Sequence, residues 1–125
     1  FRYSKTLTIG VLIMVLCLIP SSEFSKIKMP ITYTDLILHF CMFFAFSAAL
    51  YLDITKKRTG YKLLSVIMIA IIISFGLAAL TEMLQYLIIP LNRSGSASDL
   101  LSDLLGNIGG VILSVLIRRR SSVVP

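Results

Sequence analysis

The sequence predicts an all-α membrane protein, a four-transmembrane-helix bundle with both termini cytoplasmic. The 125 residues are 57% hydrophobic with a mean hydropathy of +0.92, and only 14% are charged, whereas soluble domains have about 25% charged residues. The apolar residues form four stretches, and the basic residues gather at the ends of those stretches. So few charges cannot give the apolar stretches a water-soluble exterior, and lipid must therefore cover them.

The four apolar stretches lie within one predicted transmembrane domain, residues 1–125. A helix rises about 1.5 Å per residue, so about 20 residues cross the hydrocarbon core, and a helix satisfies its own backbone there. The helices expected from the hydropathy pattern lie at about 5–20, 34–53, 61–89 and 99–118.

The first and third helices need separate justification. The first is the shortest, and Arg2 and Lys5 precede it as they would precede a signal peptide. We expect a retained helix, because no small-residue cleavage pattern follows it. The third helix is long enough to tilt or to project beyond the lipid, and Pro90 ends it because proline cannot continue a helix.

The lysines and arginines predict the orientation, because short cytoplasmic loops carry an excess of them. Basic clusters precede the first helix, join the second to the third and follow the fourth. With four crossings all three clusters fall on one side, so we expect 54–60 in the cytoplasm and the loops 21–33 and 90–98 outside. The clusters do not form a face interleaved with aromatic residues, which argues against nucleic-acid binding.

Polar residues inside the predicted spans recur at helical spacing near the outer ends. Residues three or four apart share a helix face, and the sets that do so are Asp35 with His39, Glu82 with Gln85, and Asp99 with Asp103 and Asn107. Counting along each helix places these groups in one shallow layer of the outer leaflet. The opposite half contains little that is polar beyond Ser65 and Ser114, which argues against a channel or pump.

Each of these residues also has a purely structural interpretation. His39 can be a hydrogen-bonded packing residue, Glu82 and Gln85 can bond across helices, and Asp99 can cap the fourth helix. Ionisable groups inside spans are expensive, however, and usually serve a purpose. We therefore predict a functional site, and we assign no metal and no cofactor to it. Three glycines beside the site are expected to permit close helix packing, namely Gly106, Gly109 and Gly110.

The ordered motifs resemble the VanZ-like family, which is named for the teicoplanin-resistance protein VanZ. The matching residues are Asp35 before His39-Phe40, Glu82-x-x-Gln85, Arg93, and Asp103-x-x-x-Asn107-x-x-Gly110. Leu36 and Phe43 depart from the family's usual Lys and Tyr. The Arg93-to-Asp103 spacing is also long, which makes Asp99 a second candidate for the family aspartate.

The resemblance implies a multi-pass protein of the bacterial cytoplasmic membrane that acts in the cell envelope and contributes to glycopeptide resistance. We expect membrane lipids as partners, together with a lipid-linked cell-wall precursor or a lipoglycopeptide. The expected ligand contacts are the polar layer with Arg93 above it, since arginine offers a bidentate fork for phosphate. Lys26 and Lys28 lie in the preceding outer loop.

Two alternatives to simple binding stay open. One is an intramembrane hydrolase or transferase that acts on a lipid head group. In it His39 is a base or metal ligand, and Glu82 and Asp103 are acids, bases or metal ligands. The other is an accessory subunit whose polar layer only fixes helix register. The sequence decides neither the enzymatic question nor the oligomeric state.

Overall fold

The computed structural model of the chain describes residues 3–19, 31–56, 60–88 and 97–123. In these ranges the chain forms α-helices and no strands. The helices are α1 (Ser4–Cys17), α2 (Ile31–Thr55), α3 (Leu63–Leu87) and α4 (Ala97–Val123). This architecture confirms the predicted all-α, four-helix membrane bundle. Most of the expected loops 21–33 and 90–98 lie outside the described residues.

Three of the helices are long and apolar enough to cross a membrane. The spans are Asp35–Thr55, Leu63–Leu87 and Ala97–Ser122, while α1 is a shorter apolar helix of 14 residues. At 1.5 Å per residue α1 is about 21 Å long, which is less than the hydrocarbon thickness of about 30 Å. Large apolar side chains such as Leu64 and Ile72 point away from the bundle. An apolar exterior of this kind is the surface of a multi-pass membrane protein.

Hydrogen bonds between the helices define two ends of the bundle. Thr6 at the start of α1 donates to Asp53 near the end of α2, so these helices are antiparallel. Gln85 near the end of α3 donates to the carbonyl of Cys17 at the end of α1. One end of the bundle contains the start of α1 and the end of α4, and we call it the "termini end". We call the opposite end the "loop end". The charge pattern predicts that the loop end faces outward, and this orientation stays a prediction.

The parallel helices α2 and α4 form the most extensive helix pair. A Cβ atom added to Gly106 would collide with the carbonyl oxygen of Phe40, and one added to Gly110 would collide with that of Phe44. Glycine therefore permits the two backbones to touch, as small residues spaced by four do in membrane helices. The expected role of these glycines in close packing is confirmed.

The sequence did not predict a hydrogen-bonded contact between α1 and α2 at the termini end, which we call the structural tie. Asp53 is buried, and one of its carboxylate oxygens accepts hydrogen bonds from the backbone N–H of Thr6 at 3.2 Å and from its hydroxyl at 2.6 Å. Thr6 lies in the first turn of α1, where backbone N–H groups have no partner within the helix. The expectation that this half contains little polar beyond Ser65 and Ser114 was therefore wrong, because Asp53 caps α1 from a neighbouring helix.

Candidate functional site

The candidate site is built around a contact between α2 and α4 near the loop end. His39 Nδ1 lies 2.8 Å from Asp103 Oδ1, and both side chains are buried. With Asp103 ionised, its carboxylate only accepts, so Nδ1–H is the donor. The close approach of Gly106 to Phe40, the residue after His39, brings the two backbones near enough for this short bond.

The third helix adds a carboxylate to the same point. Glu82 Oε1 lies 3.9 Å from His39 Nδ1, and the Glu82 side chain is only 12% exposed. His39, Glu82 and Asp103 each offer one ligand atom, and all of these atoms lie within 4.8 Å of one another. The structure therefore brings together three residues that the sequence placed at one depth on separate helices. Their functional roles stay predictions.

Two further acidic residues lie near the imidazole. Asp35 Oδ1 is 3.9 Å from His39 Nε2, and the Asp35 side chain is 26% exposed. Asp35, His39 and Asp99 form a second group whose ligand atoms lie within 4.8 Å of one another. We call Glu82 and Asp103 the inner pair, and Asp35 and Asp99 the outer pair. The outer pair lies one turn nearer the helix starts on α2 and α4, so the site faces the loop end.

Asn107 lies one turn beyond Asp103 on α4, and both residues are fully buried. Neither the amide nitrogen nor the amide oxygen of Asn107 has a hydrogen-bond partner within the described part of the chain, and the same holds for Asp103 Oδ2. A buried polar group without a partner costs about 1–3 kcal/mol. Such a group in a native structure requires an explanation, for example an ordered water, a bound ion or a role in function.

Gln85 is committed to a contact with another helix. Its amide nitrogen donates to the carbonyl oxygen of Cys17 at 2.9 Å, and the side chain is buried. This bond joins the end of α3 to the end of α1, where the last carbonyls of a helix lack partners within it. The structure therefore gives Gln85 a structural contact, and its predicted ligand contact stays a prediction.

The predicted anion contact, Arg93, lies outside the described residues, as do Lys26 and Lys28. The lysines and arginines that the structure describes all lie at the termini end, and they are Lys5, Lys56, Lys62, Arg118, Arg119 and Arg120. Within the described ranges, the site therefore combines four carboxyl groups with one imidazole. This composition can bind a cation, accept hydrogen bonds from hydroxyl or amino groups, or transfer protons.

Sequence reasoning missed a serine that joins two helices near the outer pair. Ser102 donates from its hydroxyl to the carbonyl oxygen of Leu36 at 2.6 Å, which joins the beginnings of α4 and α2. A signal for it was present in the sequence, because small residues recur every four positions along one face of α4. This row consists of Ser102, Gly106, Gly110 and Ser114. Such a row is typical of a helix that packs closely on a neighbour.

The fold and the site define a multi-pass α-helical membrane protein with a buried, acidic polar cluster near one end of its bundle. The family model for VanZ/LLP1 matches residues 6–118, nearly the whole chain. The chain therefore belongs to the VanZ/LLP1 family, and the resemblance seen in the motifs is confirmed. Comparison with curated proteins gives no match, and neither does comparison with solved structures.

Proposed function

We propose that the protein binds the polar head group of a lipid-linked or lipid-anchored molecule at the loop end of its bundle, in the outer leaflet of the bacterial cytoplasmic membrane. The observation that carries this proposal is the pair of fully buried residues Asp103 and Asn107. Three of their polar atoms have no hydrogen-bond partner within the described ranges. A cluster that served only to fix helix register would gain stability by satisfying or removing these groups.

The chemistry of the cluster favours a head group that carries hydroxyl or amino groups. The carboxylates of the inner pair accept hydrogen bonds, and the Asn107 amide can both donate and accept. The ligand's acyl or prenyl chain would lie against the apolar exterior of the bundle, where side chains such as Ile37 and Leu101 are exposed. Arg93 would contact a phosphate on the same molecule through its planar guanidinium.

Native mass spectrometry of the protein from gently solubilised membranes tests this proposal. We expect the wild-type chain to retain a specific lipid-linked species, and we expect Arg93→Ala and Asn107→Leu each to lose it. Arg119→Ala is the matched control, because Arg119 is an exposed arginine at the termini end. Equal retention by wild type, Arg93→Ala and Asn107→Leu would remove the proposal.

We further propose that this binding contributes to resistance against glycopeptides of the teicoplanin type. Such a glycopeptide carries an acyl chain, and lipid-linked cell-wall precursors carry a pyrophosphate, so either molecule presents a lipid anchor together with a polar head. Expression in a susceptible host should raise the inhibitory concentration of an acylated glycopeptide more than that of one without an acyl chain. Asn107→Leu should abolish the increase at unchanged protein level. An equal increase with Asn107→Leu would show that resistance does not depend on the polar cluster.

The hydrogen bond between His39 and Asp103 favours a second candidate, a hydrolase or transferase that acts on a lipid head group. A carboxylate at Nδ1 orients an imidazole so that Nε2 can take a proton from a hydroxyl or a water. Incubation with a head-group-labelled phospholipid or prenyl phosphate tests this candidate. Release of the label by wild type and its loss in His39→Gln would indicate catalysis. Retention of intact lipid would indicate binding alone.

A further inference from the structure

We propose that His39, Glu82 and Asp103 bind one divalent transition-metal cation, such as Zn²⁺, inside the bundle. This inference goes beyond the proposed lipid binding and does not depend on it. It follows from the geometry of the inner pair, from the excess of acidic groups and from the buried polar atoms beside them. One imidazole nitrogen with two carboxylates is a donor set that suits Zn²⁺ or Mn²⁺ better than Mg²⁺, which prefers oxygen ligands alone.

The distances require only small movements for coordination. Metal–ligand bonds of about 2.0–2.1 Å place neighbouring ligand atoms about 2.9–3.4 Å apart. His39 Nδ1 and Asp103 Oδ1 are already 2.8 Å apart, and Glu82 Oε1 lies 3.9 Å from the same nitrogen. A movement of Glu82 Oε1 by about 0.5–1 Å closes this gap. In the metal-bound form Nδ1 loses its proton, so the cation replaces the hydrogen bond to Asp103.

The opposite nitrogen of the ring lies near a carboxylate, but the two atoms are too far apart for a direct hydrogen bond. A ligating histidine almost always donates its other N–H to a carboxylate, a carbonyl or a water, which fixes the ring orientation. His39 Nε2 lies 3.9 Å from Asp35 Oδ1, on the side of the outer pair. The Asp35 side chain is more exposed than those of Glu82 and Asp103.

The ionisable groups that the structure describes at this end of the bundle are mostly acidic. Both members of the inner pair are acidic, and the two carboxyl groups of the outer pair also lie near the ring. Within the described ranges no lysine or arginine lies near them, since all of these residues are at the termini end. Ionised carboxylates in a low-dielectric interior repel one another. A divalent cation bound between Glu82 and Asp103 would offset that repulsion.

The polar atoms beside the inner pair supply an observation independent of the acidic cluster. Asp103 Oδ2 and both polar atoms of Asn107 are buried and have no hydrogen-bond partner among the residues described. Asn107 lies one turn beyond Asp103 on the same face of α4. The side-chain amide oxygen of Asn107 and Asp103 Oδ2 can each accept a hydrogen bond, for example from a metal-bound water.

The experiment uses the full chain in detergent, with any affinity tag removed and with metal stripped by a chelator. Isothermal titration with Zn²⁺ and elemental analysis after dialysis should give one Zn²⁺ per chain. His39→Ala and Asp103→Asn should weaken binding by about 100-fold or more, because even loss of a group that only hydrogen-bonds to a metal ligand costs about 10–100-fold. Cys41→Ser and Asp53→Asn are matched controls that should leave binding unchanged, since Cys41 is an exposed thiol and Asp53 a buried aspartate at the other end.

A second measurement keeps the test decisive if a variant fails to fold. X-ray absorption of the wild-type protein with Zn²⁺ should show a shell of nitrogen and oxygen ligands that includes one imidazole. Sulfur in that shell, binding well below one ion per chain, or undiminished affinity in Glu82→Gln and Asp103→Asn would overturn the proposal. No lipid ligand is added in these measurements. Their failure would therefore leave the lipid-retention result standing, and loss of lipid retention would leave the metal result standing.

Discussion

Asp53 and Asp103 are both buried in the same bundle, near opposite ends, and their surroundings differ. One oxygen of Asp53 accepts two hydrogen bonds from Thr6 and thereby caps α1. Asp103 uses one oxygen for His39, while its other oxygen has no partner within the described part of the chain. A buried carboxylate whose hydrogen bonds are satisfied within the protein stabilises the fold. A buried carboxylate oxygen that has no partner in the protein can still accept a hydrogen bond from a ligand. The surroundings of Asp53 are those of a structural contact between helices, and the surroundings of Asp103 are those of a binding site.

The helix pair that supports both ends should be the most sensitive part of the molecule. Gly110→Leu places a side chain against the backbone of Phe44 and should destabilise the bundle by about 3 kcal/mol or more. Size-exclusion chromatography in detergent should show aggregation or loss of the folded peak. Gly76→Leu is the matched control, because a Cβ atom there has no neighbour within 4 Å. Equal behaviour of the two variants would contradict the close packing of α2 on α4.

Removal of the structural tie should have the next largest effect. Asp53→Ala leaves the buried N–H and hydroxyl of Thr6 without their acceptor, which should cost about 2–4 kcal/mol. Thermal unfolding in detergent measures the loss. Retention of lipid, measured on the fraction that stays folded, should be unchanged because the loop end is intact. Normal stability in this variant would contradict the capping role of Asp53.

A smaller change at the same tie sharpens this interpretation. Thr6→Val removes the hydroxyl donor but keeps the backbone N–H that also bonds Asp53, so the loss should be about 1 kcal/mol. The double variant Thr6→Val with Asp53→Ala should have nearly the same free energy of unfolding as Asp53→Ala alone. Any further loss should be at most a few tenths of a kcal/mol. Additive losses would show that the two residues act separately.

At the loop end, a conservative change should affect binding far more than stability. Asp103→Asn removes the negative charge but keeps an oxygen that can accept a hydrogen bond from His39. The free energy of unfolding should therefore change by less than about 1 kcal/mol. Lipid retention and Zn²⁺ affinity should nevertheless fall. A large loss of stability with binding preserved would make Asp103 a structural residue like Asp53.

Much of the fold could be predicted because hydropathy and charge act along the chain itself. The four helices follow from apolar stretches, and the common depth of His39, Glu82 and Asp103 follows from counting residues from the helix ends. These three side chains meet only if each helix turns its polar face toward the inside of the bundle. That orientation is expected, because ionisable groups are costly to expose to lipid.

The remaining contacts depended on which helices pack together, and hydropathy does not give that information. The bond from Asp53 to Thr6 requires α1 to lie beside α2 at the termini end. Gln85 has the spacing of a site residue, but it donates to a backbone carbonyl of α1, an acceptor that no side-chain motif marks. The row of small residues on α4 did carry information about its partner helix, and Ser102 belongs to that row.

Asn107→Leu tests the central contrast between the two ends most directly. Leucine has a similar size and removes two buried atoms that lack partners within the described residues, so stability should stay the same or rise by about 1 kcal/mol. Thermal unfolding and native mass spectrometry of the same preparation measure stability and lipid retention together. We predict a melting temperature equal to or above that of wild type, with the lipid lost. A lower melting temperature with the lipid still bound would contradict the account.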